Sequence, residues 1–234
     1  MRVWQTYKTD ESELPPYARR AMATWKKHGH DTVYLSDNDI RDWLLTEWDR
    51  ETLELWESLP IGVMRADMWR YLVVYTHGGA YADLDTECFD AIDNWIPQEY
   101  TSGRSELVVC PENDTHYCQW FFVGRAGSSL LASVIDLMFR RVRNPNYGMD
   151  HFVHYHTGPE VFTSGLMAND PRAGINPLYD PPPNMLYCFQ GENARIFHDI
   201  KVRNIYGSQF WSDGRYVQWL REAEEYRGNV TPGK

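Results

Sequence analysis

The stretch spanning residues 61–89, IGVMRADMWRYLVVYTHGGAYADLDTECF, constrains the chain more than any other. Residues 61–77 are a run of helix formers and aromatics too long for a strand, and they predict a buried helix. Gly78-Gly79 ends it, because glycine enters the left-handed region without steric cost. Ala80-Tyr81-Ala82 then leads as a short strand into Asp83-Leu84-Asp85. Extended backbone would put Asp83 and Asp85 on one face, since side chains alternate with period two. Two carboxylates on one face repel each other unless a cation lies between them. Oxygen ligands at this spacing suit a hard ion, Mn²⁺ or Mg²⁺, that also takes ligands from a substrate such as a diphosphate.

The helix itself carries two charges. Asp67 and Arg70 are three residues apart and share a helix face. They lie among Met64, Met68, Trp69, Tyr71, Leu72, Val73 and Val74, too apolar a setting for a solvated element. A charge pair in such a helix either braces it or serves a site. Asp-x-Asp also occurs in haloacid-dehalogenase phosphatases, where Thr or Val holds the fifth position. Here that position is Glu87, and Gly-Gly-Ala-Tyr precedes the motif, so that reading is set aside.

The pattern Asp-x-x-Arg-Tyr followed by Gly-Gly-x-Tyr-x-Asp-x-Asp resembles the core of the DXD-containing glycosyltransferases of family 32. That family includes mannosyltransferases and is more distantly related to the clostridial glucosylating toxins. The resemblance implies an α/β fold of GT-A type. This is a Rossmann-like nucleotide-sugar-binding domain with a mixed, mostly parallel central sheet flanked by helices. It implies that Asp67 and Arg70 hold the nucleotide-sugar donor, that Tyr81 and Gly79 lie beside it, and that Asp83 and Asp85 hold sugar, ribose and metal.

Other segments fit the same family. Val3-Trp4-Gln5-Thr6-Tyr7 reads as a first strand. It resembles the family's opening Ile-His-Gln-x-Trp-Lys-Thr, which places Gln5 and Tyr7 at the nucleotide base, with Tyr7 as the stacking ring. Gln119-Trp120 resembles a sugar-side segment, and Gln119 is either a residue facing the sugar or a strand-end amide bonded to backbone. Thr157-Gly158-Pro159 with Phe162-Thr163 resembles the element that opens a helix beside the acceptor, with Thr157 as its N-cap. His154 and His156 are two apart and would share one face of a strand. With His151 they form either a transition-metal set or polar groups lining a cleft; the acceptor side is assigned His156, Thr157 and Gly158. The segment HDIKVRNIYGSQFW resembles the family's C-terminal His-x-x-x-Gly-Ser-Trp, with Arg203 in the place of His and Gln209 in the place of Trp. The third metal position then passes to Asn204 or His198, and Ser208 sits on the donor.

The rest of the chain is read from local pattern. A helix opens at Pro15-Pro16 and closes at Gly29, a strand covers residues 31–35, and one or two amphipathic helices cover residues 38–59. A strand is expected at residues 107–110, and a helix capped by Ser128 runs to Arg143. Strand and helix in alternation predict a parallel sheet, with ligands beyond the carboxyl ends of its strands. Residues 169–186 read as a loop, residues 185–189 as a strand, and residues 215–226 as an outer helix.

At 234 residues, with 43% hydrophobic and 15% aromatic content, a single domain spanning residues 1–234 with a sizeable core is expected. The net charge of −10 argues against a nucleic-acid partner and requires a cation or local Arg and Lys to receive a diphosphate. No apolar run is long enough to span a membrane, and no signal peptide is visible. The expected location is therefore cytoplasmic, as in a soluble bacterial or viral enzyme, or the Golgi lumen for a trimmed chain. Cys88, Cys110, Cys118 and Cys188 lack zinc-site spacing and read equally as thiols or disulfides. The family resemblance implies metal-dependent, retaining transfer of a hexose, mannose by preference, from GDP-mannose or a UDP-hexose to a glycan hydroxyl. A sugar-nucleotide-binding module without catalysis and a metal-dependent sugar-nucleotide hydrolase are the alternatives.

Overall fold

A computed structural model describes residues 1–110, 116–147, 149, 151–168, 185–187 and 202–204. A six-stranded sheet organises them. Its strands are β1 (Arg2–Tyr7), β2 (Asp31–Ser36), β3 (Gly79–Ala82), β5 (Leu107–Val109), β6 (Phe121–Gly124) and β7 (Met185–Tyr187), with β4 (Thr86–Cys88) outside it. The spatial order is β2-β1-β3-β6-β5-β7. The β1–β2, β1–β3 and β5–β7 pairs are parallel, and β6 runs antiparallel to both of its neighbours. The sheet is thus mixed and mostly parallel, as expected. β4 pairs instead with β8 (Val202–Asn204), antiparallel, in a separate two-stranded sheet.

The strands alternate strictly between two cores. Trp4, Tyr81, Phe122, Leu107 and Val109 face the larger core. Val3, Ala80, Ala82, Phe121, Val123 and Val108 face the second. The larger core is covered by α2 (Asp37–Glu47), α3 (Arg50–Glu57), α4 (Gly62–His77), α7 (Ser129–Arg143), α8 (Phe152–His156) and α9 (Pro159–Met167). The second packs under Trp25 of α1 (Pro16–Lys27) and under the short helices α5 (Ile92–Trp95) and α6 (Gln98–Thr101).

Local chemistry sets the element ends. Ser36 caps α2 in a reciprocal capping box with Asp39, and Ser128 caps α7. The arginines in the last turn of α7 suit the helix dipole and also find carboxylates: Arg140 pairs with Asp136, Arg141 with Glu160 and Arg143 with Glu51. Gly78 and Gly79 have φ of +70° and +102°. A Cβ on Gly79 would lie 2.8 Å from Arg2 O, so the glycine lets β3 close onto β1. The Trp4 indole N–H donates to Gly78 O at 2.8 Å and pins this junction.

Two sequence expectations fail here. Residues 152–156 form the helix α8, not a strand, so His154 and His156 are turned roughly 200° apart. Thr157 does not cap α9; the N-cap is Gly158, with no side-chain cap bond. No helix among the described residues is long and apolar enough to cross a membrane. Cys88, Cys110 and Cys118 are buried. Cys188, the segments covering residues 169–184 and 215–226, His198, Ser208 and Gln209 lie outside the described residues.

Candidate active site

The two aspartates are set by a turn, not by strand alternation. β3 ends at Ala82, and Thr86 N–H donates to Asp83 O at 3.0 Å, closing a turn over Asp83-Leu84-Asp85-Thr86. The Thr86 hydroxyl donates to the same carbonyl. Leu84 is buried in a small cluster with Leu14, Ala18 and Met22 of the α1 region. The apolar residue goes inward and holds the turn, while Asp83 and Asp85 stay partly exposed on either side of it.

Behind the turn lies a buried polar network. Arg70 Nη2 stands 3.0 Å from Asp67 Oδ1 and 3.2 Å from Asp83 Oδ1. Arg70 Nη1 donates to Gln119 O at 3.1 Å, and the guanidinium lies 4.7 Å from the centre of the Tyr81 ring. The Tyr81 hydroxyl donates to Asp83 Oδ1 at 2.7 Å. Both contacts to the Asp83 carboxylate therefore use the same oxygen, Oδ1. The helical spacing that put Asp67 and Arg70 on one face is realised, and α4 aims both at the end of β3.

Asp67 is 1% exposed, against 29% for the Asp83 side chain. Its partners are the guanidinium, the Gln119 amide N–H at 3.3 Å and the Thr157 hydroxyl at 2.9 Å. Burial pushes its carboxyl up to about 7, outweighing the pull of Arg70 and the hydrogen bond from Thr157. Arg70 lies nearest two carboxylates and stays charged, raised further by Asp83 and Tyr81 against its own burial. Burial likewise drives the Tyr71 and Tyr81 hydroxyls well above the ordinary range, so both act as hydrogen-bond donors.

The residues expected on the donor side converge on this turn. Gln5, at 1% exposure, points its amide nitrogen at Asp83 O, 3.5 Å away. The Gln5 amide oxygen is buried with no hydrogen-bond partner among the described residues. Tyr7 ends β1, in register with Ser36, and is partly buried beside the Leu84 cluster. Asn204 pairs across from Thr86, the residue that follows Asp85. Among the described residues, no three of His, Cys, Asp and Glu gather as a metal-binding group.

The residues expected on the acceptor side sit differently. His156 is fully buried. Its Nδ1 lies 2.7 Å from Phe152 O, and its Nε2 accepts the Asn146 N–H at 2.9 Å. That fixes a neutral ring inside the protein, since the backbone takes both nitrogens. Gln119 is a buried amide bonded to Asp67 and Tyr71, and its orientation follows: the NH₂ faces the carboxylate and the oxygen faces the Tyr71 hydroxyl. Thr157 and Gly158 are buried as well. His154 instead lies near His116 and His151, with ring centres 6.1 and 5.8 Å apart. Tyr71, part of the Asp-x-x-Arg-Tyr pattern, was given no role by the sequence reading, although its place four residues after Asp67 on one helix face was a visible signal.

Part of the chain is similar to known proteins. Residues 15–102 match the family described as glycosyltransferase sugar-binding region containing DXD motif, a match that takes in β1's neighbour β2, all of α4 and the DXD turn. This segment of the chain is similar to that family. The initiation-specific α-1,6-mannosyltransferase of Schizosaccharomyces pombe is 25% identical over 192 residues, 70% of this chain and 47% of that protein. Its namesake from Candida albicans is 26% identical over 196 residues, 69% of this chain and 50% of that protein. The chain thus spans about half the length of these curated relatives or less. The solved PaToxG glycosyltransferase superposes with a TM-score of 0.49 at 14% identity, covering 73% of this chain and 68% of that one.

Proposed function

We propose that this protein is a GT-A glycosyltransferase that moves mannose from GDP-mannose to a glycan hydroxyl, with retention of configuration and with Mn²⁺ or Mg²⁺ as cofactor. The observation that carries the reading is the DXD turn abutting a buried arginine in the segment that matches the family. The mannosyltransferase relatives favour mannose over other hexoses.

The residues suit a hard divalent ion. Asp83 and Asp85 offer carboxylate oxygens on a partly exposed turn, and Asp83 keeps one oxygen outside its contacts with Arg70 and Tyr81. Asp83 and Asp85 would hold the ion, with Asn204 or His198 as a third position. When bound, the ion neutralises charge on the donor diphosphate and on the leaving nucleotide.

The chain's own groups do the rest. Arg70, fixed by three acceptors, presents a permanent positive charge behind the turn and supports Asp83 as charge develops on the diphosphate. Asp67 and Arg70 act as a unit that sets the Asp83 carboxylate, and Tyr81 holds Asp83 from the other side. The unpaired Gln5 amide oxygen accepts a donor hydroxyl or N–H next to the turn. Tyr7 receives the base, with Gly79 beside it and Ser208 on the diphosphate. The acceptor hydroxyl attacks from the side of the leaving phosphate, which takes its proton, so no protein nucleophile is required.

Thermal unfolding with GDP- and UDP-sugars, each with and without Mn²⁺, tests the reading. A ligand that binds the folded state raises the midpoint by mass action. A metal-dependent rise with GDP-mannose, lost in Asp85→Asn, is expected, followed by mannose transfer in a product assay. No rise with any donor would sink the proposal. Release of free sugar at one rate with and without acceptor would replace it with a hydrolase.

A further inference from the structure

We propose that Thr157 is a positioning residue: its hydroxyl fixes the Asp67 carboxylate, and through it the Arg70 guanidinium that supports Asp83. This deepens the glycosyl-transfer reading and rests on it for its activity readout.

Three observations carry the inference. The first is that Thr157 is gripped twice by one turn of α4. Its hydroxyl donates to Asp67 Oδ2 at 2.9 Å, and its carbonyl lies 2.9 Å from the Tyr71 hydroxyl. Asp67 and Tyr71 are four apart on that helix and present one face, so the junction between α8 and α9 is docked at a fixed height along α4. The Tyr71 hydroxyl also contacts Gln119 Oε1, whose amide N–H reaches Asp67. The loop thus closes on the carboxylate from both sides.

The second observation is a local rule that goes unmet. Thr157 precedes the first turn of α9, a helix that starts with no side-chain cap. Threonine is a good capping residue, yet the N-cap falls on Gly158, one residue later. The Thr157 hydroxyl gives its proton to Asp67 instead.

The third is the division of labour at Asp67. Oδ1 receives both Arg70 and Gln119, whereas Thr157 is the partner of Oδ2. Removing the hydroxyl leaves a buried carboxylate oxygen unpaired, and the carboxylate is then free to rotate about its own axis. Arg70 spans Asp67, Asp83 and Gln119 O at 3.0–3.2 Å, so a rotation at one end loosens the rigid fork at the other. Thr157 is fully buried.

The test compares wild type with Thr157→Val, which keeps shape and loses the hydroxyl, and Thr157→Ser, which keeps the hydroxyl. With GDP-mannose and Mn²⁺, Thr157→Val is expected to lower kcat/KM about ten- to hundredfold, the worth of one hydrogen bond to a charged group. Thr157→Ser is expected to restore it to within about threefold. The ligand-free readout is the guanidinium ¹⁵N–¹H spectrum of Arg70, assigned by its loss in Arg70→Lys. Wild type and Thr157→Ser should show slow, resolved Nη–H signals, and Thr157→Val should show merged ones. Tyr71→Phe, which releases the Thr157 carbonyl, is the second variant if Thr157→Val fails to fold, and is expected to move the signals the same way. Unchanged Arg70 signals in the folded hydroxyl-free variants would overturn the inference. A wild type that turns over no nucleotide sugar, with Arg70 signals that still respond to Thr157→Val, would sink the transfer reading and uphold the positioning.

Discussion

Replacing Asp67 with Asn separates the two forces that act on the buried carboxylate. Burial favours the neutral acid, and Arg70 favours the anion. The structure has burial winning, with the group raised from 3.8 to about 7. Between those values the unfolded chain has released the Asp67 proton while the folded protein still holds it. Folded stability therefore falls as pH rises from about 4 to about 7, and levels off above that. At about 1.4 kcal/mol per pH unit the total is roughly 4 kcal/mol. Asn at position 67 does not titrate, and it fits the network: its carbonyl accepts from Arg70 and Gln119. Its NH₂ donates to the Thr157 hydroxyl, which turns its proton to Val153 O, 3.4 Å away. The gap between Asp67→Asn and wild type should thus move in favour of Asn by roughly 4 kcal/mol between pH 4 and pH 8. On a urea slope of about 2–3 kcal/mol/M this is a relative midpoint shift of roughly 1.5 M. His30, His116 and His154, all lowered by burial, give the opposite pH trend. They are present in both proteins and cancel in the difference. Urea unfolding at one-unit pH steps reads the result. A gap that is constant, or that moves toward wild type as pH rises, would refute the argument and show that Arg70 outweighs burial.

Two further substitutions probe the frame around the site. Gly79→Ala forces a side chain into positive φ and against Arg2 O, and a loss of more than about 2 kcal/mol is expected from the denaturant midpoint. His156→Phe keeps an aromatic ring but removes the Nε2 that accepts the Asn146 N–H and the Nδ1 contact to the Phe152 carbonyl, for a loss of about 1–3 kcal/mol in the same assay. An acceptor-side role for His156 would instead show as a higher acceptor KM in a protein of wild-type stability.

The architecture was legible wherever one local pattern decided it. The apolar run into Gly78-Gly79 gave α4 and its stop, and the short apolar strands gave the sheet edges to within a residue or two. Asp67, Arg70, Tyr81 and Asp83 were found because helix spacing and a short strand bring them together over seventeen residues. The Asp83-Leu84-Asp85 geometry was misread because alternation of polar and apolar residues looks alike in a strand and in a turn whose middle residue is buried. What decides between them is the surface that receives Leu84, supplied by residues some seventy positions earlier. The misassigned histidines lie on a helix of five residues, too short to show a period. Gln119 and Thr157 reach Asp67 across 52 and 90 residues, and no spacing within one segment reveals such a meeting.

The leucine between the two aspartates also decides how portable the motif is. A peptide copying residues 79–88 would carry both carboxylates and the closing Thr86, but none of the surface formed by Leu14, Ala18 and Met22. With nothing to bury, Leu84 would let the turn open and the carboxylates drift apart. Transplanting this site into another scaffold therefore means transplanting a patch of α1 with it, and a designer who copies only the charged letters will copy the wrong half.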